Sequence, residues 1–239
     1  MILAILFFSA LFTSVISGLI GMGGGVTLLA VMTFFFPLNI LVPIHGSVQF
    51  TSNLSRTYLL RKYIRREAFL PFLLAVPIGS LGVWVLLKHL SRPEWVIWIV
   101  IVLLFYVAFK PKKLPEIRVG KKGFFLLGVV GSFLGALIGA TGPLLAPFFA
   151  RSDYKKEEIV ATKAACQILV HLVKFPIFLS LSFAYESYWK EILVMIFGVV
   201  IGTRIGIELL KKVSFKRFMI ILKTALALTG LRLLYKMLA

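Results

Sequence analysis

The sequence has few of the residues on which many enzymes and disulfide-bonded proteins depend. It contains one cysteine, Cys166, so it has no disulfide framework and no thiol cluster for a metal. Its three histidines form no H-E-x-x-H arrangement, and no acidic pair lies at helical spacing on an apolar segment. These absences argue against an intramembrane enzyme. We therefore expect no catalytic residues, no metal site and no cofactor.

Acidic side chains are also scarce, because nine Asp and Glu stand against 27 Lys and Arg, giving a net charge of +18. Such an excess can indicate nucleic-acid binding. The basic residues, however, lie in short clusters between apolar segments, as in the cytoplasmic loops of membrane proteins. No soluble basic domain is available to bind nucleic acid. A G-x-x-x-x-G-K-[ST] nucleotide loop is also absent, which argues against nucleotide-driven chemistry.

Apolar sequence, by contrast, is abundant. Hydrophobic residues make up 60% of the 239 positions, more than a soluble domain of this length can bury. Long apolar runs recur along the chain and predict a multi-pass helical protein of the plasma membrane. The eight apolar segments are Ile2–Phe36, Val42–Leu60, Ala68–Leu87, Trp95–Phe109, Phe124–Ala150, Ile159–Phe183, Trp189–Leu210 and Phe218–Met237.

The chain divides into two similar halves within one transmembrane domain, residues 1–239. We place repeat one at 1–112, a basic connector at 110–122 and repeat two at 123–239. Leu19-Ile20-Gly21 matches Leu137-Ile138-Gly139, 118 positions later, and Gln49 matches Gln167 at the same separation. Ile78-Gly79-Ser80 matches Ile201-Gly202-Thr203, 123 positions later. The matches are few but collinear, which indicates an internal duplication.

Loop charge predicts that the two repeats are inverted. The loop after the second segment is strongly basic, with Arg61, Lys62, Arg65 and Arg66, whereas the matching loop at 184–191 is not. If the first segment of each half enters the membrane and returns on the same side, every basic cluster lies in the cytoplasm. We therefore expect an all-α integral membrane protein. Its two inverted repeats would each have four hydrophobic segments, the first broken at a Gly-rich turn.

The predicted turns are Gly23-Gly24-Gly25, within GLIGMGGGVTLL, and Ala140-Thr141-Gly142-Pro143 in the second half. Glycine costs a helix about 1 kcal/mol relative to alanine. Non-helical backbone at membrane depth is tolerated only where protein buries it or it lines a wet cavity. Close helix packing is the alternative, and we favour it for Gly131-x3-Gly135-x3-Gly139 and Gly198-x3-Gly202-x3-Gly206.

A stripe of polar side chains runs along the second segment of each half. The first stripe has the spacing i, i+4, i+7, i+11 on one helical face and comprises His45, Gln49, Ser52 and Arg56. The second comprises Lys163, Gln167, His171 and Lys174, which lie 118 positions after His45, Gln49, Asn53 and Arg56. Polar residues in membrane segments are costly and usually face a cavity or the bundle interior. The alternatives are snorkelling for Arg56, a helix-start position for Lys163 and interhelical hydrogen bonds for the two histidines.

Together, the turns and stripes predict a site for a small anion. Half-helix N-termini favour negative charge, and the stripes add neutral donors and cations with almost no acid nearby. The expected substrate-binding residues are Gly23, Gly24, Gly25, His45, Gln49, Ser52, Asn53, Thr141, Gly142, Lys163, Gln167 and His171. The candidates for gating or coupling are Arg56, Lys174, Arg204 and Glu208. We expect Arg204 and Glu208 to pair with each other, since they lie at i and i+4.

The motif GLIGMGGGVTLL, its second copy GALIGATGPLLAP and the four-plus-four layout resemble the sulfite exporter TauE/SafE family, also called the toluene sulfonate uptake permease family. The resemblance covers the whole length of the chain. It implies a secondary transporter, described as an exporter, for small sulfur-containing anions such as sulfite or organosulfonates. The second motif departs from the family pattern, since family members often keep more glycine where this chain has Ala140-Thr141-Gly142-Pro143.

Two other functions stay open on the sequence alone: a small-anion channel with similar re-entrant segments, and a membrane partner subunit that does not itself transport. The expected partners are a sulfur oxyanion or sulfonate and the lipid bilayer, without nucleic acid. Coupling to a proton or another ion is compatible with the histidines. The sequence does not predict an oligomeric state.

Overall fold

The computed structural model describes residues 1–89, 98, 102, 118–149, 153–210 and 212. Within these residues the chain forms helices and connecting turns, without a strand. The α-helices are α1 Ile2–Ile20, α2 Gly24–Met32, α3 Leu38–Leu59, α4 Arg66–His89, α5 Lys121–Ile138, α6 Gly142–Phe149, α7 Lys156–Leu172, α8 Lys174–Ser180 and α9 Trp189–Leu209. Short 3-10 turns lie at Arg61–Tyr63 and Tyr185–Tyr188. Most of the fourth predicted segment, the eighth segment and most of the basic connector fall outside the described residues.

Five helical stretches in the described part of the chain are long and apolar enough to cross a membrane. They are Ile2–Ile20, Arg66–His89, Lys121–Ile138, Lys156–Ser180 and Tyr185–Leu209. Large apolar side chains such as Leu74 and Phe12 are well exposed, as expected on a surface that faces lipid. The prediction of an all-α membrane protein is confirmed for these residues. Helix α3 is long enough to cross but carries the first polar stripe, and it is not among the five.

The first helix of each half stops inside its apolar segment. Helix α1 ends at Ile20 and α2 begins at Gly24, while α5 ends at Ile138 and α6 begins at Gly142. Gly21, Gly23 and Gly139 have φ values of 70°, 89° and 93°. Glycine adopts such angles readily because it lacks a Cβ atom. Gly139, which the sequence suggested as a packing residue, therefore lies at a helix end.

Glycines bring two helix pairs into close contact. In α9, Gly198 and Gly202 lie against the backbone of Phe7 and Leu11, and Gly206 lies against Val15. Later residues of α9 contact later residues of α1, so the two helices run parallel. The packing role predicted for these three α9 glycines fits these contacts.

Helices α4 and α5 repeat this arrangement. Gly128 contacts Phe72 and Ala75, and further along Gly79 contacts Val129 and Ser132. Here too, later residues of α4 contact later residues of α5, so these two helices run parallel. The helix that begins each predicted repeat therefore packs on the helix of the third predicted segment of the other repeat, α1 on α9 and α5 on α4.

The two stripe-bearing helices, α3 and α7, pack together in opposite directions. Early in α3, the His45 ring lies 6.1 Å from the ring of His171, between centroids. At the end of α3, Leu60 packs with Val160 and Ala161 at the start of α7. This antiparallel packing brings the two polar stripes face to face.

Candidate functional site

A small cavity lies between the two helix breaks and the two polar stripes. Its volume is about 20 Å³, which leaves room for about one water molecule. Ten predicted residues line it: Gly23, Gly25, His45, Gln49, Asn53, Arg56, Gly142, Lys163, Gln167 and His171. The structure thus brings together residues that lie far apart in the sequence.

Four other predicted residues are not among the residues that line the cavity. A side chain on Gly24 would collide with the Thr13 carbonyl, because α2 packs back on α1. The Ser52 hydroxyl is hydrogen-bonded to the Ser14 hydroxyl. The Thr141 hydroxyl accepts a hydrogen bond from Gln167 Nε2 at 3.3 Å. Lys174 Nζ donates to a backbone carbonyl, that of Gly139. Ser52, Thr141 and Lys174 are buried.

Arg56 is buried within the helix bundle and has one unused donor. Its side chain is 3% exposed, so the snorkelling alternative is wrong. Nη1 donates to Asn53 Oδ1 at 3.0 Å and Nη2 donates to Ser52 Oγ at 3.0 Å. Nε has no hydrogen-bond partner among the described residues. The guanidinium is thus held by neutral oxygens of its own helix.

Two lysines bind the carbonyl groups at the two helix breaks. Lys163 Nζ donates to the Gly21 carbonyl oxygen at 2.6 Å, and Lys174 Nζ donates to the Gly139 carbonyl oxygen at 2.7 Å. Gly21 and Gly139 are the residues that follow α1 and α5, and they correspond in the repeats. A cation at a helix C-terminus is favourable because it meets the negative end of the helix dipole. Lys163 also lies close to the start of α6, since a Cβ added to Gly142 would be 3.5 Å from its Nζ.

Each stripe glutamine faces the helix break of its own repeat. A Cβ added to Gly25 would lie 3.1 Å from Gln49 Oε1, and Gln167 bonds to Thr141 at the second break. His45 Nε2 donates to the Gly25 carbonyl oxygen at 2.8 Å, a contact to a neighbouring helix that the sequence analysis kept as an alternative. The Nδ1 atoms of His45 and His171 are buried without a hydrogen-bond partner in the described structure.

Among the described residues, no carboxylate forms an ion pair with the buried cations Arg56, Lys163 and Lys174. One ion pair within 4.0 Å occurs in the described part of the chain, between Arg65 and Glu158 at 3.1 Å. It ties the loop after α3 to the first turn of α7. Arg56, Lys163 and Lys174, by contrast, are buried, and no carboxylate of a described residue lies at that distance from them. A buried cation without a counter-ion is unfavourable, so this arrangement suits an anion that comes from outside the chain.

The family model for the sulfite exporter TauE/SafE matches residues 6–233. The chain belongs to the sulfite exporter TauE/SafE family. This is a family of membrane transporters, and with five membrane-capable helices among its described residues this TauE/SafE protein is a multi-pass protein of the plasma membrane. No curated protein and no solved structure matches the chain.

The ion pair predicted between Arg204 and Glu208 of this TauE/SafE protein is not formed in the structure. Arg204 and Glu208 lie on the exposed face of α9, outside the cavity wall, and form no ion pair within 4.0 Å with each other or with another described residue. Both side chains are exposed in the last two turns of α9, and an exposed ion pair adds little stability.

Sequence analysis missed a buried hydroxyl network behind Arg56. Ser14 Oγ lies 2.8 Å from Ser52 Oγ and 2.8 Å from Thr203 Oγ1, and it also lies 3.1 Å from the Val199 carbonyl oxygen. The network joins α1, α3 and α9. Its signal in the sequence was weak, because single serines and threonines in apolar helices commonly bond to their own backbone. Five further cavity-lining residues were also missed: Ser17, Gly21, Met22, Val26 and Ala140.

Proposed function

We propose that this TauE/SafE protein is a secondary transporter that moves small sulfur-containing anions, such as sulfite or organosulfonates, out of the cell. The observation that carries the proposal is the small cavity between the helix breaks, which is lined by cationic side chains that form no ion pair with a carboxylate of the described residues. We assign substrate contact to the stripe residues in the cavity wall and to the backbone at the two breaks. Gln49 and Gln167 would donate neutral hydrogen bonds to the anion.

Helix directions support an inverted repeat. Helices α1 and α9 run parallel, and α3 runs with them, because Leu60 packs near Ile207 and Ser52 near Ser14. Helices α4 and α5 run parallel, and α7 runs with them, because Tyr154 Oη donates to Glu67 Oε1 where both α4 and α7 begin. Each of α1, α3 and α4 therefore opposes its counterpart, respectively α5, α7 and α9. This opposition is what an inverted-topology transporter requires.

Individual contacts also occur in equivalent pairs. Ser14 Oγ donates to the Val199 carbonyl, and Ser132 Oγ donates to the Val76 carbonyl. Ser132 follows Ser14 by 118 positions and Val199 follows Val76 by 123, the two separations found between the repeats. The two helix pairs are thus built from matching contacts, which supports a two-fold relation between the halves.

The same directions support a re-entrant first segment. Since α1 and α3 run the same way, the chain must return to its starting side between them, and α2 lies in that return. The cavity of about 20 Å³ is too small for a sulfur oxyanion as it stands. We therefore assign the structure to a closed state, which must open on one side to load and on the other to release.

The test is anion flux into proteoliposomes with sulfite, thiosulfate, a small sulfonate and chloride. Gln49→Ala/Gln167→Ala is compared with Thr51→Val, a change on α3 at a residue that does not line the cavity. We expect saturable sulfur-anion flux in the wild type and in Thr51→Val, with strong loss in the double variant. Flux that persists in the double variant would move the substrate away from the glutamines.

Carrier and channel are separated in the same vesicles. A carrier shows saturation and is accelerated by substrate on the far side, whereas a channel shows neither in this concentration range. Absence of flux for every sulfur anion in a folded preparation would contradict the proposed function and favour the partner-subunit alternative.

A further inference from the structure

The two stripes do not contribute equally to the cavity, although they are duplicates. Arg56 and Lys174 correspond in the repeats, as do His45 and Lys163. Arg56, His45 and Lys163 line the cavity, whereas Lys174 is not among its lining residues. The duplication alone would predict that both stripes contribute equivalent residues to the cavity. Because they do not, Arg56 and Lys163 are the stripe cations that an anion in the cavity can contact, and Lys174 is not.

Arg56 and Lys163 both line the cavity and lie at the same level along their helices. Helices α3 and α7 are antiparallel, with the end of α3 at the start of α7, where Leu60 packs with Val160. Arg56 is one turn before Leu60, and Lys163 is about one turn after Val160, so the two cations occupy the same level. One comes from repeat one and the other from repeat two.

Both cations keep donors for which the described residues provide no acceptor. A guanidinium has five N–H groups, and Arg56 directs two of its nitrogens to Asn53 and Ser52 while Nε is unpartnered. An ammonium has three, and the one acceptor within hydrogen-bond distance of Lys163 among the described residues is the Gly21 carbonyl. The oxygens that accept hydrogen bonds from Arg56 and Lys163 are neutral. They satisfy part of the hydrogen-bonding capacity of the two cations but do not neutralise their positive charges. Together, an arginine fork and an ammonium suit a compact oxyanion.

We infer that Arg56 and Lys163 form one subsite that joins the two repeats and selects doubly charged oxyanions over monoanionic ones. This inference rests on the proposed function and narrows its substrate class, because it ranks sulfate- or thiosulfate-like dianions above organosulfonates. Lys174 has a different role. It caps α5 through the Gly139 carbonyl, and its side chain packs against Gly46, so it holds the second break in place.

The test is anion binding to the detergent-purified protein, followed by its thermal unfolding. Sulfate and thiosulfate are the dianionic probes, and methanesulfonate and chloride are the monoanions, all at equal ionic strength. We expect the dianions to stabilise the wild type at lower concentration. Arg56→Gln and Lys163→Met should each weaken dianion binding about tenfold or more, because one member of a buried charge pairing is lost. Methanesulfonate binding should change much less.

Lys174→Met is the matched control, since it removes a buried lysine from the same pair of stripes. We expect it to lower the melting temperature but to keep the preference for dianions. Equal stabilisation by sulfate and chloride, unchanged dianion binding in both Arg56→Gln and Lys163→Met, or loss of the preference in Lys174→Met would each overturn the subsite.

Charge-retaining variants cover the case in which the neutral ones do not fold. Arg56→Lys and Lys163→Arg should bind dianions more weakly but still prefer them, and loss of the preference in both would overturn the subsite. Binding separates this inference from transport. If the wild type binds sulfate through Arg56 and Lys163 but moves no sulfur anion in vesicles, the subsite stands and the proposed function fails.

Discussion

Lys163 on α7 donates a 2.6 Å hydrogen bond to the carbonyl of Gly21, the residue at which α1 ends. The bond joins the two repeats predicted from the sequence, since Gly21 lies in the first and Lys163 in the second. It places a cation at the negative end of the α1 dipole, beside the cavity. The bond thereby connects the end of α1 to the cavity-lining face of α7. We therefore expect a substitution at Gly21 or at Lys163 to shift the other residue.

Gly21→Ala tests whether the end of α1 depends on a left-handed residue. Gly21 has a φ of 70°, and an added Cβ would lie 3.1 Å from Val160 Cγ2. A non-glycine residue in this conformation costs about 1–2 kcal/mol. We expect the melting temperature in detergent to fall by several degrees. Gly120→Ala is the control, because an added Cβ there meets nothing within 4 Å and φ is negative. Equal loss in both variants would contradict the role assigned to the turn.

Ser14→Ala tests whether the buried hydroxyl network positions Arg56. The substitution leaves the Thr203 hydroxyl without this partner, removes one contact of Ser52 and costs about 1–3 kcal/mol of stability. We also expect weaker anion binding, since Ser52 accepts from Arg56 and would be held less firmly.

Ser132→Ala is the control for this effect. Ser132 is the corresponding serine of repeat two, is fully buried and bonds to the carbonyls of Val76 and Gly128. It should lose comparable stability and keep its anion affinity. If thermal titration with sulfate finds the same affinity in both variants, the network does not act on Arg56.

Arg204→Gln and Glu208→Gln test the finding that these two side chains do not form an ion pair. Both residues are exposed and do not pair within 4.0 Å with any residue that the structure describes, so neither substitution leaves a buried charge behind among those residues. We expect each variant to melt within about 2 °C of the wild type, as surface substitutions usually do. We also expect unchanged anion binding. A large loss that the double variant restores would show that the two side chains do pair.

The polar stripes could be read from the sequence because their chemistry is unusual for a membrane helix. Gln49, Gln167 and Arg56 stand out where apolar residues are expected, and the 118-residue spacing links them across the chain. The detailed partners could not be read in this way. Whether Lys174 faces the cavity or the Gly139 carbonyl depends on the side-chain direction and on a helix end, and neither leaves a local pattern. The error over Arg204 and Glu208 has a similar cause, since i, i+4 spacing permits a pair without requiring one.

Single-cysteine labelling tests the inverted topology on which the proposed function depends. Cys166 is the one cysteine in the chain and is buried, so Cys166→Ala provides a background for labelling. Tyr63→Cys lies in the basic loop after α3, and Glu186→Cys lies in the matching loop before α9. In intact cells a membrane-impermeant maleimide should modify the second variant, whereas the first should react only after the membrane is opened. The reason is that α3 and α7 cross the membrane in opposite directions in the proposed topology. Labelling of both loops from the same side would rule out inverted repeats, while a Ser187→Cys variant controls for local access near residue 186.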